Sequence, residues 1–261
     1  MKQGMRQLAV LMGATLWLLS ASAAAQSQEP LASQEPSSAE QLEAEDDAAT
    51  RAEALSRNAI DPYEKLNRKV FKFNEALDAK VLEPVASAYK RVLPSPVRTG
   101  VDNVLGNLGD VWSIVNHLLQ GKIAGSARMT LRVASNTLLG LAGIWDPATE
   151  MGLERESEDF GQTLGRWGVP AGPYVVLPII GPSSARDAAA APLNLMFGPS
   201  YVAETFSGGM LITSVQVVAA RAGLLSASQL LDEIALDKYS FLRDAYLSRR
   251  QNLVFDGNPP E

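Results

Sequence analysis

Apolar positions recur at helical spacing along most of this chain and period-2 alternation is nearly absent, so the predicted fold is mainly α with little β. Asp61-Pro62 reads as a helix start, with Asp as N-cap and Pro at the first helical position; Leu66, Val70, Phe73 and Leu77 then mark one face. Glu64, Lys65, Arg68, Lys69 and Lys72 fill the other. Glu83-Pro84 breaks or kinks this helix, Val85 to Val92 forms a shorter one, and Leu93-Pro-Ser-Pro96 turns the chain. Next, Val97, Val101, Val104, Leu105, Leu108, Val111, Trp112, Val115 and Leu118 form a broad apolar stripe suited to packing on other helices. Gly106 and Gly109 weaken that helix, so a break is expected near Asn107. A further helix is predicted over Ile123 to Leu141. The loop Glu150 to Asp159 follows, then a short helix that Ser157 or Glu158 begins and Gly168 stops.

Gly172 to Pro178 reads as extended, because proline fixes φ at both ends of a β-branched pair. Ser183-Ser184 caps a helix from Ala185. Ala188 to Phe197 then lacks a polar face, Gly198-Pro199 turns the chain, and Tyr201 to Ala220 forms a second apolar helix, interrupted at Gly208-Gly209. Two arrangements satisfy this pair: a hairpin dipping into one leaflet, or a central hairpin buried among amphipathic helices. Ordinary amphipathic pattern returns beyond Arg221, and a charged helix runs from Asp237 to Leu253.

Charge sharpens the picture. Between Phe160 and Ala220 only Arg166, Arg186, Asp187 and Glu204 are charged, where the overall 20% would place about twelve. The same stretch holds fourteen Gly or Pro, so it contains no unbroken run of about 20 apolar residues able to span a bilayer. Apolar surface without a spanning helix points to a protein lodged part-way into a membrane, or to a lipid path; a well-buried core in a soluble domain is the alternative.

Residues 1–25 carry Lys2 and Arg6, an apolar run from Leu8 to Leu19 and a small-residue site ending at Ala25, the pattern of a cleaved signal peptide. Residues 26–60 hold eight acids against Arg51 and Arg57 and few apolar residues, the composition of a disordered acidic tether. This segment accounts for most of the net charge of −6. The predicted helical domain, 61–255, is nearly neutral, which argues against nucleic acid as a partner, and 256–261 is a short tail. The chain has no cysteine, hence neither disulfides nor a thiol for acylation.

Catalytic constellations are missing from the sequence. His117 is the single histidine and lies on an apolar stripe, where a structural role is expected; no nucleophile elbow, P-loop or dinucleotide fingerprint occurs. Glu154, Glu156, Glu158 and Asp159 fit no calcium-loop spacing and read as a solvated acidic loop. No catalytic residue, metal ligand or cofactor is assigned. Arg186 and Asp187, at the edge of an apolar stretch, must pair or reach water; Arg186 could alternatively meet a lipid phosphate.

Asp61-Pro-Tyr-Glu-Lys-Leu-Asn-Arg68, Gly106-Asn-Leu108, Asn136-Thr-Leu-Leu-Gly140, Glu158-Asp-Phe-Gly-Gln-Thr-Leu-Gly165 and Gly172-Pro-Tyr-Val-Val-Leu-Pro178, followed by Gly181-Pro-Ser183 and Arg186-Asp187, occur in order. As a set they resemble the MlaA (VacJ) family. The resemblance implies a single ring-like helical domain in the inner leaflet of the Gram-negative outer membrane, facing the periplasm. Through its amphipathic channel, mislocalised phospholipids would leave the outer leaflet for a soluble periplasmic carrier, preserving membrane asymmetry, while a trimeric outer-membrane porin holds the protein. Familiar members are lipoproteins with an N-terminal Cys, which this sequence lacks. On this reading, Tyr174, Val175, Val176, Leu177, Ile179, Ile180, Leu193, Leu195, Met196, Phe197, Tyr201, Phe206, Met210 and Leu211 are candidates for channel wall or lipid contact. Arg166, Arg186 and Asp187 are candidates for polar groups near a headgroup. A soluble periplasmic lipid carrier or structural domain, and a lipid hydrolase, are the competing functions.

Overall fold

The computed structural model describes residues 60–203 and 205–259; the predicted signal peptide and all but the last residue of the predicted tether lie outside them. Helix α1 (Glu64–Leu77), one π-helical turn (Asp78–Leu82) and α2 (Glu83–Val92) run on as a continuous rod. Pro84 has no N–H to return to the preceding turn, and the widened turn just before it absorbs that loss, so the helix is not broken there. Asp61 is not the cap expected of it. The helix starts at Glu64, and Asp61 is buried, accepting hydrogen bonds from Asn67 (2.8 Å) and the Tyr239 hydroxyl.

Helix α3 (Ser95–Leu119) passes through Asn107 without the expected break. Its glycines serve close approach instead: a Cβ on Gly106 would lie 2.4 Å from an Arg155 guanidinium nitrogen, and Gly109 faces the Pro199 ring. After a turn at Gly121, α4 (Ile123–Leu138) returns antiparallel along α3, matching Gly125 to His117, Arg132 to Asp110 and Thr137 to Asn107. It stops three residues short of the expected Leu141, which has a positive φ of 51°. Short helices α5 (Pro147–Glu150) and α6 (Phe160–Arg166) are capped by the Asp146 and Asp159 side chains.

A two-stranded antiparallel hairpin follows, β1 (Tyr174–Leu177) against β2 (Gly181–Ser184), with Tyr174 opposite Ser184. Two asparagines of α1 close its free edge. Asn67 bonds the Tyr174 carbonyl and the Val176 amide (3.0 and 2.9 Å), and Asn74, two turns on, bonds the Leu177 carbonyl and the Ile179 amide (2.9 and 2.8 Å). A strand edge left bare would expose unpaired backbone groups.

Ser184 caps α7 (Ala185–Phe197) as predicted, and a 3₁₀ turn (Pro199–Val202) leads to α8 (Phe206–Ile234). The predicted interruption at Gly208-Gly209 is absent, and α8 continues well past Ala220. Its 29 residues are long and apolar enough to cross a membrane by length and composition, with mean hydropathy 1.5 over an 18-residue window of which 17% is buried. The limit inferred from Phe160 to Ala220 therefore does not hold for the whole helix. Arg221 fastens α8 to the π-turn through a bidentate pair with Asp78 (2.7 and 2.8 Å). Helix α9 (Lys238–Val254), capped by Asp237, closes the domain.

Apolar cores are small. Phe71, Tyr174, Val176 and Tyr239 form one, where α1, β1 and α9 meet, with the Phe71 and Tyr239 rings edge to face at 5.5 Å. Ala86, Ala222 and Leu225, with Tyr89, form another between α2 and α8.

Candidate functional site

The helices bury their polar sides. On α3 the buried residues are Gly100, Asn107, Asp110, Ser113, Asn116 and His117, while Val97, Val111, Val115 and Leu118 of the predicted packing stripe are exposed. On α4, Ser126, Arg132 and Asn136 face inward with Met129, and Ile123, Leu131 and Leu138 face outward. On α1, Asn67 and Phe71 are buried where Leu66 and Phe73 had been expected. The helical period was read correctly and the buried side was not. Among the described residues, buried polar or charged residues outnumber buried apolar ones, seventeen to twelve, and thirty-nine large apolar side chains are exposed. Ordinary soluble domains seldom place polar residues inside in this proportion.

Two networks hold many of the internal ions; apart from them, the buried Asp61 pairs with Arg243 and the buried Glu158 with Lys122. Arg132, 1% exposed, reaches Asp110 (3.3 Å), Thr149 (2.9 Å), Asp146 and the Leu153 carbonyl, tying α4 to α3 and α5. Burial pushes the Asp146 carboxyl up, but bonds from Thr149, Arg132 and Asn136 outweigh it and hold the pKa at about 2. For Asp110 burial prevails, raising its pKa despite Arg155 and Arg132. In the second network Arg250 of α9 grips Asp159 with both Nη atoms (2.6 Å each) and Asp187 through Nε (2.7 Å). Tyr246 donates to Asp187 (2.7 Å) and Arg186 Nε adds a bond at 3.0 Å. Asp159 and Asp187 are raised by burial but lowered more by Arg250, so both stay below the usual carboxylate range. A Cβ on Gly161 would fall 2.4 Å from Asp187, which is why glycine stands there.

The acidic loop is solvated only in part: Glu154 is exposed, whereas Glu158 and Asp159 turn inward. Glu156 pairs with Arg128, Glu158 with Lys122 (2.8 Å), and Asp159 with Arg250. His117 is buried with Nε2 3.1 Å from the Glu156 carbonyl, a structural setting.

Of the fourteen apolar candidates, Ile179, Ile180, Leu193, Leu195, Met196, Phe197, Tyr201, Phe206, Met210 and Leu211 lie exposed. Val175 and Leu177 are half-buried, and Tyr174 and Val176 belong to the core, with β1 turning them inward onto Phe71 and Tyr239. The α7–α8 pair is thus accessible along its apolar side and not a buried central hairpin, with Phe206 85% exposed. Its inner attachment is Trp112, which stacks on Phe197 at 4.9 Å and donates to Asn194 (3.0 Å). Arg166 is exposed on α6, whereas Arg186 and Asp187 sit within the second network.

Three cavities, of about 900, 470 and 320 Å³, share Arg155 and Ser157 on their walls. None of the fourteen candidates lines them. They are bounded by α3, the 151–159 loop, α4, α8 and α9, through residues such as Asp110, Lys122, Gln216 and Arg249. Sequence reading passed over Arg155, Asp110 and Arg132. The available signal was a polar stripe at spacings of three to four through an otherwise apolar α3.

A helical domain with ions gathered inside and greasy side chains facing out belongs to the class of proteins whose surroundings are partly lipid. The comparisons agree. The chain belongs to the MlaA lipoprotein family, whose pattern matches residues 59–253. It is 35% identical over 202 residues to the intermembrane phospholipid transport system lipoprotein MlaA of Escherichia coli (strain K12), covering 76% of this chain and 79% of that protein. The Haemophilus influenzae protein of the same name is 34% identical over 204 residues, 76% and 80% of the two chains. A solved structure described as the structural basis for maintenance of bacterial outer membrane lipid asymmetry superposes with a TM-score of 0.66 at 36% identity, covering 74% of this chain and 98% of that one.

Proposed function

We propose that this chain serves intermembrane phospholipid transport, taking mislocalised phospholipid from the outer leaflet of the outer membrane and passing it toward a soluble periplasmic carrier. It sits in the inner leaflet, facing the periplasm, with a trimeric porin beside it. The observation that carries this reading is the exposed apolar surface of α7, the 3₁₀ turn and the first half of α8, set over an interior of paired ions. That arrangement suits a medium that is oily outside and a polar path within. Phe206 to Ala220 carries no charge and extends about 22 Å at 1.5 Å per residue, short of the roughly 30 Å hydrocarbon core. Arg221 then turns to Asp78, which favours a seat in one leaflet over a full crossing. Family membership supports the same role, as do the names of the relatives.

The α7–α8 surface holds the protein to the membrane through its exposed apolar side chains. Fractionation tests the seat: the protein is expected in outer membranes and to need detergent for extraction, and recovery as a detergent-free periplasmic monomer would favour a soluble carrier. Transport is tested in a strain lacking the protein. Outer-leaflet phospholipid should rise, with sensitivity to detergent plus chelator, and an unchanged leaflet composition would contradict the role.

A further inference from the structure

We propose that Arg155 recognises the phosphodiester of the transported lipid where the three cavities meet, an inference that rests on the transport role above. Its Nε is tied back to Asp110 (3.1 Å), itself buried and bonded to Arg132, which orients the guanidinium. Among the described residues neither Nη atom has an acceptor, so the outer fork of the guanidinium is unspent. Other basic groups on these walls are engaged: Lys122 with Glu158 and Asp256, Arg128 with Glu156, and Arg250 with Asp159 and Asp187. Arg249, on the wall of the 470 Å³ cavity with Arg155, has no ion-pair partner among the described residues and supplies a second cation.

The position matches the chemistry of an amphiphile. The 320 Å³ cavity adds Leu105, Pro199, Ala219 and Ala220 to Arg155, with Asp102, Asp110 and Gln216 among its polar groups, and the 900 Å³ cavity presents Lys122, Glu158 and Asp256. A phosphodiester lies between the chains and the polar end of a lipid. Its two free oxygens and single negative charge fit one guanidinium fork. Gly106 makes room for that fork, because any Cβ there would sit 2.4 to 2.6 Å from the Arg155 guanidinium.

The test uses the full chain in detergent, titrated with phosphatidylglycerol, with the diacylglycerol bearing the same acyl chains, and with inorganic phosphate. Wild type is expected to prefer the phospholipid. Arg155→Gln should weaken phospholipid binding about tenfold, as loss of a charge-assisted pair does, and leave diacylglycerol binding unchanged. Gly106→Ala keeps the charge but displaces the guanidinium; it should lose phospholipid affinity similarly while still melting cooperatively, the helix gain of alanine offsetting part of the strained Asp110 pair. Should Arg155→Gln fail to fold, Gly106→Ala decides. Wild-type phospholipid affinity in either folded variant, or equal loss of both lipids in Arg155→Gln, overturns the assignment. Displacement of the lipid by millimolar inorganic phosphate overturns the headgroup as occupant. A wild-type protein that binds neither lipid overturns the transport role itself, a separate result.

Discussion

Asn67 shows how much one polar side chain carries in this fold. It is 2% exposed and bonds Asp61, the Tyr174 carbonyl and the Val176 amide, so removing it takes one of the two hydrogen bonds from a buried carboxylate and leaves two strand groups without partners. Asn67→Ala should cost about 2–3 kcal/mol in denaturant unfolding in detergent, whereas Leu66→Ala, one position away and exposed, should cost well under about 1 kcal/mol. The paired aspartates have a pH signature. Asp146, Asp159 and Asp187 are held below the usual carboxylate value near 3.9, so the stability they contribute is complete above about pH 4 and is lost as pH falls through their folded pKa values, toward about 2 for Asp146. Melting temperature in detergent should fall over that window. Asp187→Asn should flatten the fall while lowering the midpoint at neutral pH. Asp110, raised by burial, works in the opposite direction but above about pH 4, outside that window.

At the level of elements, caps and turns were legible where local chemistry decides them. Ser184 and Asp237 stand where helix starts were expected, and the extended run before Pro178 became β1. Helix facing was not legible. Periodicity marks a stripe on α3 but does not say what the stripe meets, and Val111 and Leu118, read as suited to packing on other helices, are exposed. Continuity at Gly106 and Gly208 was missed for a related reason: glycine lowers helix propensity locally, and tertiary contact overrides that. Arg155 was hidden because its value comes from Asp110 and Gly106, far from it in sequence. The outward stripe of α8 supplies a test at this scale. Phe206→Glu and Leu211→Glu, singly or together at exposed positions, should leave thermal stability in detergent within about 0.5 kcal/mol of wild type yet shift the protein from the membrane pellet toward the soluble fraction. An unaltered pellet fraction in the double variant would show that this surface is not the seat.

Taken as a whole molecule, the chain inverts the usual distribution: small apolar clusters, ionic networks joining α3, α4, α6, α7 and α9, and an oily exterior. Family resemblance in the sequence pointed to the right relatives, while the internal geometry behind it depends on contacts between residues far apart in sequence. Protein engineers commonly improve behaviour in buffer by replacing outer leucines with lysines and refilling interiors with hydrocarbon. On the proposed role both habits would damage this molecule, the first by removing the apolar surface offered to acyl chains and the second by breaking the internal ion pairs. A variant optimised for test-tube solubility would therefore be a poor proxy for the protein at work.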